Sequence, residues 1–144
     1  MSLVISTALL ESIRTHARAS DGHECCGLLL GEPGAGRVAA ILPAANVAPD
    51  PAHFFEIDPT VLLRAHREAR AGGPAIIGHY HSHPAGAPVP SQVDAAMAQG
   101  MGEIWLLIGR SGAARAWRAV PAGQLHGRFD PLTLIETAAP RPAG

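Results

Sequence analysis

Two histidines that alternate along an apolar segment are the strongest candidates for chemistry in this sequence. His81 lies near the end of residues 75–82, which read as a β-strand, and His83 directly follows this segment. Alternate residues of a strand face the same side, and these two lie about 6.6 Å apart along it. Two imidazoles at that separation can converge on one metal ion at about 2.0–2.1 Å per bond. The pair therefore predicts a metal site at the end of the strand.

Asp94 offers a carboxylate that can complete this site. A proline-rich loop, residues 83–90, follows the strand and leads into a helix predicted to begin at Ser91. Asp94 lies one turn into that helix, so the loop can bring its carboxylate back to the histidines. Two histidines and one carboxylate, with one position left for water, are the ligand set of a catalytic zinc site. Under this interpretation, one Zn²⁺ per chain would be bound by His81, His83 and Asp94.

Each part of this pattern also has a simpler explanation. An isolated His-x-His pair more often belongs to a surface or a core than to a metal. Ser91 followed three residues later by Asp94 is a capping box, which begins a helix without any chemistry. Glu24, at the start of an apolar strand, is by itself typical of a solvated strand end. The metal interpretation depends on the histidine pair and the Ser91–Asp94 pair occurring together across one short loop.

His79 lies on the same strand face as His81 and His83. It would be about 13 Å from His83 along an extended strand, too far to share one metal. We therefore expect His79, together with Ser82, to lie beside the ligands or to line a pocket.

These residues together resemble the JAMM (MPN-plus) family of zinc metalloproteases. The family pattern is an upstream Glu, then His-x-His, seven residues, Ser, two residues and Asp. Here the pattern is matched without a gap by Glu24, His81, His83, Ser91 and Asp94. Further resemblance lies in residues 24–31, in Asn46 with residues 53–58, and in Gly78. The resemblance covers roughly residues 3–120, and the chain looks like a member of the short prokaryotic branch of the family. At the position of His79, relatives often carry a bulky apolar or aromatic residue.

The resemblance implies a mechanism for hydrolysing an amide bond. Zinc would lower the pKa of a water from 15.7 towards about 7. Glu24 would take the proton of that water and deliver it to the leaving amine. The hydroxyl of Ser91 would donate to the oxyanion.

The resemblance also implies a substrate class. The family cleaves isopeptide or peptide bonds after the C-terminal tail of ubiquitin-like proteins, and bacterial relatives act on small ubiquitin-like sulfur carriers. An extended tail needs a groove beside the zinc, and residues 47–55 are our candidate for one wall of it.

Two alternatives stay open. The first is a catalytically inactive scaffold or interaction module of the same fold, although such relatives usually lose ligands and all are present here. The second is an enzyme with a Cys25 or Cys26 nucleophile paired with a histidine, although adjacent cysteines in an apolar strand are typical of packing residues. A deaminase-like zinc enzyme is disfavoured, because it needs a Pro-Cys-x-x-Cys after a His-x-Glu and the chain has neither.

The elements that must position these residues are short strands interleaved with three helices. Helices are predicted from Ser6 or Thr7 to about Ala19, from Asp58-Pro59 to Gly72, and from Ser91 to about Gln99. Strands are predicted at residues 3–5, 25–31, 37–42, 53–57, 75–82, 103–108, 114–120 and 124–129. Several neighbouring strands form hairpins, so we expect an α/β protein of the α+β type: a mixed sheet with helices packed on its faces. The family resemblance adds that the sheet is curved, in the cytidine-deaminase-like JAMM/MPN architecture.

Composition limits the remaining function classes. The 144 residues suit one domain, predicted at 1–137 with a flexible tail at 138–144. The net charge of −1 provides no basic surface for nucleic acid or an anionic membrane. All 11 basic residues are arginines, which excludes Schiff-base chemistry.

We find no apolar run of about 18 residues and no signal peptide, and we expect a cytoplasmic protein. The sequence does not indicate an oligomeric state.

Overall fold

A computed structural model describes residues 1–138, which form seven strands and three helices. The strands are β1 (Ser2–Ser6), β2 (Cys26–Gly31), β3 (Ala40–Ala44), β4 (Ala75–Ser82), β5 (Ile104–Ile108), β6 (Ala114–Gly123) and β7 (Gly127–Thr137). The helices are α1 (Thr7–Ala19), α2 (Pro59–Arg70) and α3 (Gln92–Met97). Apart from Ala138, the predicted tail lies outside the described residues, and the division into a domain and a tail stays a prediction.

The strands form one curved sheet in the order β1-β7-β6-β5-β4-β2-β3. The pairs β1–β7 and β4–β5 are parallel, and the other neighbours are antiparallel. This topology confirms the predicted α+β class and the mixed sheet with helices on its faces. Among residues 1–138, no helix has both the length and the apolar character needed to cross a membrane.

The sheet buries apolar side chains on both faces, because successive residues of a strand point to opposite sides. In β2, Leu29 packs in the cluster that contains Leu10 of α1. Its neighbours Leu28 and Leu30 pack in the cluster that contains Ala65 of α2. Helices α1 and α2 therefore cover opposite faces, which explains why β2 is a continuous apolar run.

Two helix starts match their sequence signals. The Ser6 hydroxyl oxygen accepts a hydrogen bond from the Leu9 amide at 3.2 Å, so Ser6 rather than Thr7 caps α1. Asp58 accepts a hydrogen bond from the Thr60 amide at 3.0 Å, with Pro59 at the first position of α2. Such caps satisfy backbone amides that have no partner within the helix.

Three strand predictions differ from the structure. The strand predicted at 37–42 begins at Ala40 and continues to Ala44. Residues 53–57 form no strand, and only Ile57 makes an isolated bridge, to Asn46. At the other end of the chain, the strand predicted at 124–129 begins at Gly127 and continues to Thr137. Pro131 lies inside this strand, where its missing N–H disfavours a strand prediction. Strand β7 is stabilised by its pairing with β1 over five residue pairs. This contact is distant in sequence, so the local pattern does not reveal it.

Strand β4 presents the two candidate histidines from inside the sheet, between β5 and β2. Beyond its last residue the pairing continues, because the His83 amide donates to the Ile108 carbonyl at 2.8 Å. Gly78 allows the close approach of β5, since a Cβ there would lie 2.1 Å from the carbonyl oxygen of Ile104. The end of β4 is therefore fixed by its neighbours, as a preorganised site requires.

Candidate metal centre

Three ligand-type atoms from His81, His83 and Asp94 meet at the end of β4. The two Nε2 atoms of the histidines are 3.2 Å apart. Oδ2 of Asp94 lies 3.4 Å from Nε2 of His81 and 3.1 Å from Nε2 of His83. In a tetrahedral zinc site with bonds of about 2.0–2.1 Å, neighbouring ligand atoms are about 3.3 Å apart. The triangle thus has the dimensions of one face of a tetrahedral zinc site.

Asp94 is held in this position by the start of α3. Its backbone amide donates to the Ser91 hydroxyl oxygen at 3.0 Å, and the Ser91 amide donates to Asp94 Oδ2 at 2.9 Å. Burial raises the pKa of Asp94, but its contacts with His81 and His83 and the Ser91 hydrogen bond outweigh burial and place that pKa far below its usual range. The carboxylate is therefore ionised, as a metal ligand must be. The capping box and the ligand interpretation are compatible, because the cap orients the carboxylate.

The ring of His83 is oriented by the loop that follows β4. Its Nδ1 lies 3.0 Å from the carbonyl oxygen of Ala87. A carbonyl can only accept, so Nδ1 carries a hydrogen, and in the neutral imidazole Nε2 then keeps its lone pair for a metal. The loop is itself supported by Trp117, whose indole N–H donates to the Pro88 carbonyl at 3.1 Å. No sequence signal singles out this role of Trp117.

The ring of His81 is held by aromatic packing. It is fully buried and stacks on Phe55, with ring centroids 4.3 Å apart, while Trp105 meets it edge-on. Its Nδ1 has no hydrogen-bond partner among residues 1–138. Burial lowers the pKa of His81, which favours the neutral imidazole that binds metals.

Glu24 lies just before β2 and faces the histidines. Its carboxylate has an oxygen within 4.8 Å of a ring nitrogen of both His81 and His83. Either Glu24 or Asp94 could therefore ligate together with the imidazoles, and Asp94 is the nearer of the two. Burial raises the pKa of Glu24 to about 7, although His83 opposes the shift. A carboxylate of that pKa can both take and release a proton near neutral pH.

The remaining predicted residues lie around this group. The Ser91 hydroxyl uses an oxygen lone pair in its cap and keeps its hydrogen free to donate. The Ser82 hydroxyl oxygen accepts from the Cys25 amide at 2.8 Å, which ties β4 to the residue after Glu24.

His79 is outside the triangle: it packs on Trp105 and lines a cavity of about 830 Å³. Neither the triangle residues nor Glu24 line this cavity.

Asn46 binds the backbone of Glu24, a role that the motif did not indicate. Its side-chain amide nitrogen donates to the carbonyl of Glu24 at 2.8 Å. Asn46 is the only asparagine of the chain and precedes a proline-containing irregular segment. Asparagine in such a segment is a general signal for side-chain bonds to nearby backbone. That signal indicates a turn but not its connection to Glu24.

Comparisons with known proteins match most of the chain to one family. A family model described as prokaryotic homologs of the JAB domain matches residues 6–120. A protein of Haloferax volcanii named desampylase is 36% identical over 110 residues, which are 74% of this chain and 79% of the relative. A Mycobacterium tuberculosis protein named CysO-cysteine peptidase is 31% identical over 96 residues, 67% of this chain and 65% of the relative.

Similarity at the level of the fold extends over nearly the whole chain. The solution structure of a Desulfitobacterium hafniense protein has a TM-score of 0.81 and covers 96% of this chain and 95% of that one. The two are 24% identical, so this match supports the fold alone.

Proposed function

This chain belongs to the family of prokaryotic homologues of the JAB domain, a JAMM-type family, and from that premise we propose that it is a zinc-dependent peptidase for the C-terminal tail of a ubiquitin-like protein. It is a hydrolase of peptide or isopeptide bonds. The observation that carries the proposal is the triangle of His81 Nε2, His83 Nε2 and Asp94 Oδ2, with sides of 3.1–3.4 Å.

His81, His83 and Asp94 are assigned as the protein ligands of one zinc ion. Two neutral imidazoles and one ionised carboxylate are the ligand types that zinc prefers, and three of them leave a fourth tetrahedral position open. A zinc ion held by these residues would lower the pKa of a bound water from 15.7 to about 7. Zinc binding would also explain why the Asp94 carboxylate is buried beside two imidazoles.

Glu24 is assigned as the general base. One of its carboxylate oxygens lies within 4.8 Å of a ring nitrogen of both histidines, so it would be within reach of a water bound beside them. A pKa of about 7 lets it hold that proton and then release it to the leaving nitrogen. Glu24 comes from the segment just before β2, whereas the ligands come from β4, the residue after β4, and α3.

Ser91 is assigned as the donor to the oxyanion. The Ser91 hydroxyl oxygen accepts the capping hydrogen bond through a lone pair, so the hydroxyl hydrogen is still available to donate. The start of α3 thus provides both the proposed O–H donor, Ser91, and the proposed ligand carboxylate, Asp94.

The substrate assignment follows the names of the relatives. One is a desampylase and another a CysO-cysteine peptidase, which favours a ubiquitin-like or sulfur-carrier protein as substrate. Val47 and Phe54, on a loop joined to Glu24, are about 44% and 43% exposed and offer apolar contacts to an extended tail. The expected cytoplasmic location stays a prediction.

A cleavage assay tests this function. The protein, purified without added metal, is expected to contain close to one zinc per chain and to remove a C-terminal extension from ubiquitin-like sulfur carriers of the source genome. A chelator should abolish cleavage, and zinc should restore it. Stoichiometric zinc without cleavage of any such carrier would favour the inactive scaffold, whereas absence of zinc after supplementation would refute the metallopeptidase.

A further inference from the structure

We propose that Asn46 is a positioning residue for Glu24, and that it joins the exposed loop 46–57 to the general base. The proposal rests on the function proposed above. Asn46 itself need not touch substrate, because its carboxamide is directed at backbone groups of Glu24 and of its own loop.

The side chain of Asn46 uses its full hydrogen-bonding capacity. Its Nδ2 donates to the carbonyls of Glu24 at 2.8 Å and Phe54 at 2.9 Å. Its Oδ1 accepts from the amides of Ala48 and Glu56, both at 3.0 Å. An asparagine side chain has two donor hydrogens and two acceptor lone pairs. All four are engaged, so one side chain organises a loop that lacks regular secondary structure.

Glu24 depends on this loop for its backbone position. Its carbonyl accepts from Asn46, and its amide donates to the Pro51 carbonyl at 2.8 Å. The ladder that pairs β2 with β3 and β4 begins only at Cys26. Sheet pairing therefore does not hold Glu24 directly, and both of its backbone groups are bound by loop 46–57.

The same loop presents apolar side chains to solvent. Val47 and Phe54 are exposed, and Asn46 bonds to the Phe54 carbonyl. Contact of a substrate tail with these side chains would thus be transmitted to Glu24 through the Asn46 carboxamide and the Pro51 carbonyl. The metal ligands come from β4 and α3, so loosening Asn46 should disturb Glu24 more than the metal.

Variants of Asn46 test this role. Asn46→Asp keeps the shape and the Oδ1 acceptor but sets an oxygen against the carbonyls of Glu24 and Phe54. It should lower kcat on the order of 10- to 100-fold, the effect of misplacing a reacting group, while zinc stays near one per chain. In the Glu24→Gln background it should lower the residual kcat no further, because coupled residues are not additive. Gln124→Glu, the same amide-to-acid change at an exposed position, should leave kcat unchanged.

Amide hydrogen exchange supplies a readout that does not need activity. In Asn46→Ala the amide of Glu24 should exchange at least about 10-fold faster, whereas amides of β4 should be unchanged. Unchanged exchange at Glu24, or equal losses of kcat with and without the Glu24 carboxylate, would overturn the proposal. If the wild type cleaves no ubiquitin-like carrier, the proposed function fails, and exchange at Glu24 still decides whether Asn46 positions that residue.

Discussion

Ser91 and Asp94 bind one another reciprocally, with the Ser91 amide on Asp94 Oδ2 at 2.9 Å and the Asp94 amide on the Ser91 hydroxyl oxygen at 3.0 Å. The same Oδ2 atom lies 3.1 Å from the Nε2 of His83. The start of a six-residue helix therefore sets the direction of a candidate metal ligand. The hydroxyl that caps this helix is the one that we propose as the donor to the oxyanion.

Ser91→Ala should accordingly have two separable effects. Loss of the cap should cost about 1 kcal/mol of unfolding free energy, and loss of the donor should lower kcat by about 10²–10³-fold. Ser6→Ala is the matched control, since Ser6 caps α1 in the same way without a role in the site. Urea unfolding and steady-state kinetics measure the two effects. Equal small losses of kcat in both variants would refute the donor role of Ser91.

The part of this site that is local in sequence is also the part that sequence reasoning could predict. His81 and His83 are two residues apart on a strand, and Ser91 and Asp94 are three apart at a helix start, so their relative directions follow from backbone periods. Glu24 lies 57 residues before His81, and no local period relates them. Its place in the site followed from the family pattern alone.

The elements that sequence reasoning missed depend on distant partners. Strand β7 takes its length from parallel pairing with β1, from Ser2 with Thr133 to Ser6 with Thr137. Residues 53–57 look like a strand because they include two phenylalanines and an isoleucine, which favour strands. In the structure, Asn46 instead binds the Phe54 carbonyl and the Glu56 amide. A side chain thus takes the place of a neighbouring strand, and pattern alone does not distinguish the two.

Glu24→Gln should preserve the metal and remove the proton acceptor. The amide is nearly isosteric with the carboxylate, so zinc content and the melting temperature should change little. Turnover should fall by about 10²–10⁴-fold, as expected for loss of a general base. Glu32→Gln, in the exposed turn after β2, serves as the control. Full turnover of Glu24→Gln would show that the base is another group.

Zinc should stabilise the fold, because its three ligands converge only in the folded chain. Binding to the native state alone adds about 2.7 kcal/mol when free zinc is 100 times its Kd. For a domain of this size the rise in melting temperature is on the order of 10 °C. Asp94→Asn should lose most of this rise, whereas Asp21→Asn, at an exposed turn, should retain it. Equal zinc-induced shifts in both variants would exclude Asp94 as a ligand.

Replacing both cysteines should leave catalysis intact. Cys25 and Cys26 are buried, at 2% and 0% exposure. Burial raises the pKa of the Cys26 thiol to about 12 and also raises that of Cys25. Both thiols therefore stay protonated at neutral pH, whereas the thiolate is the reactive form. The double variant Cys25→Ala/Cys26→Ala should lose stability through two small cavities but keep kcat within about threefold when assayed below its melting temperature. A folded, zinc-loaded double variant without turnover would instead support a cysteine nucleophile, and iodoacetamide labelling of the wild-type protein would then identify which thiol reacts.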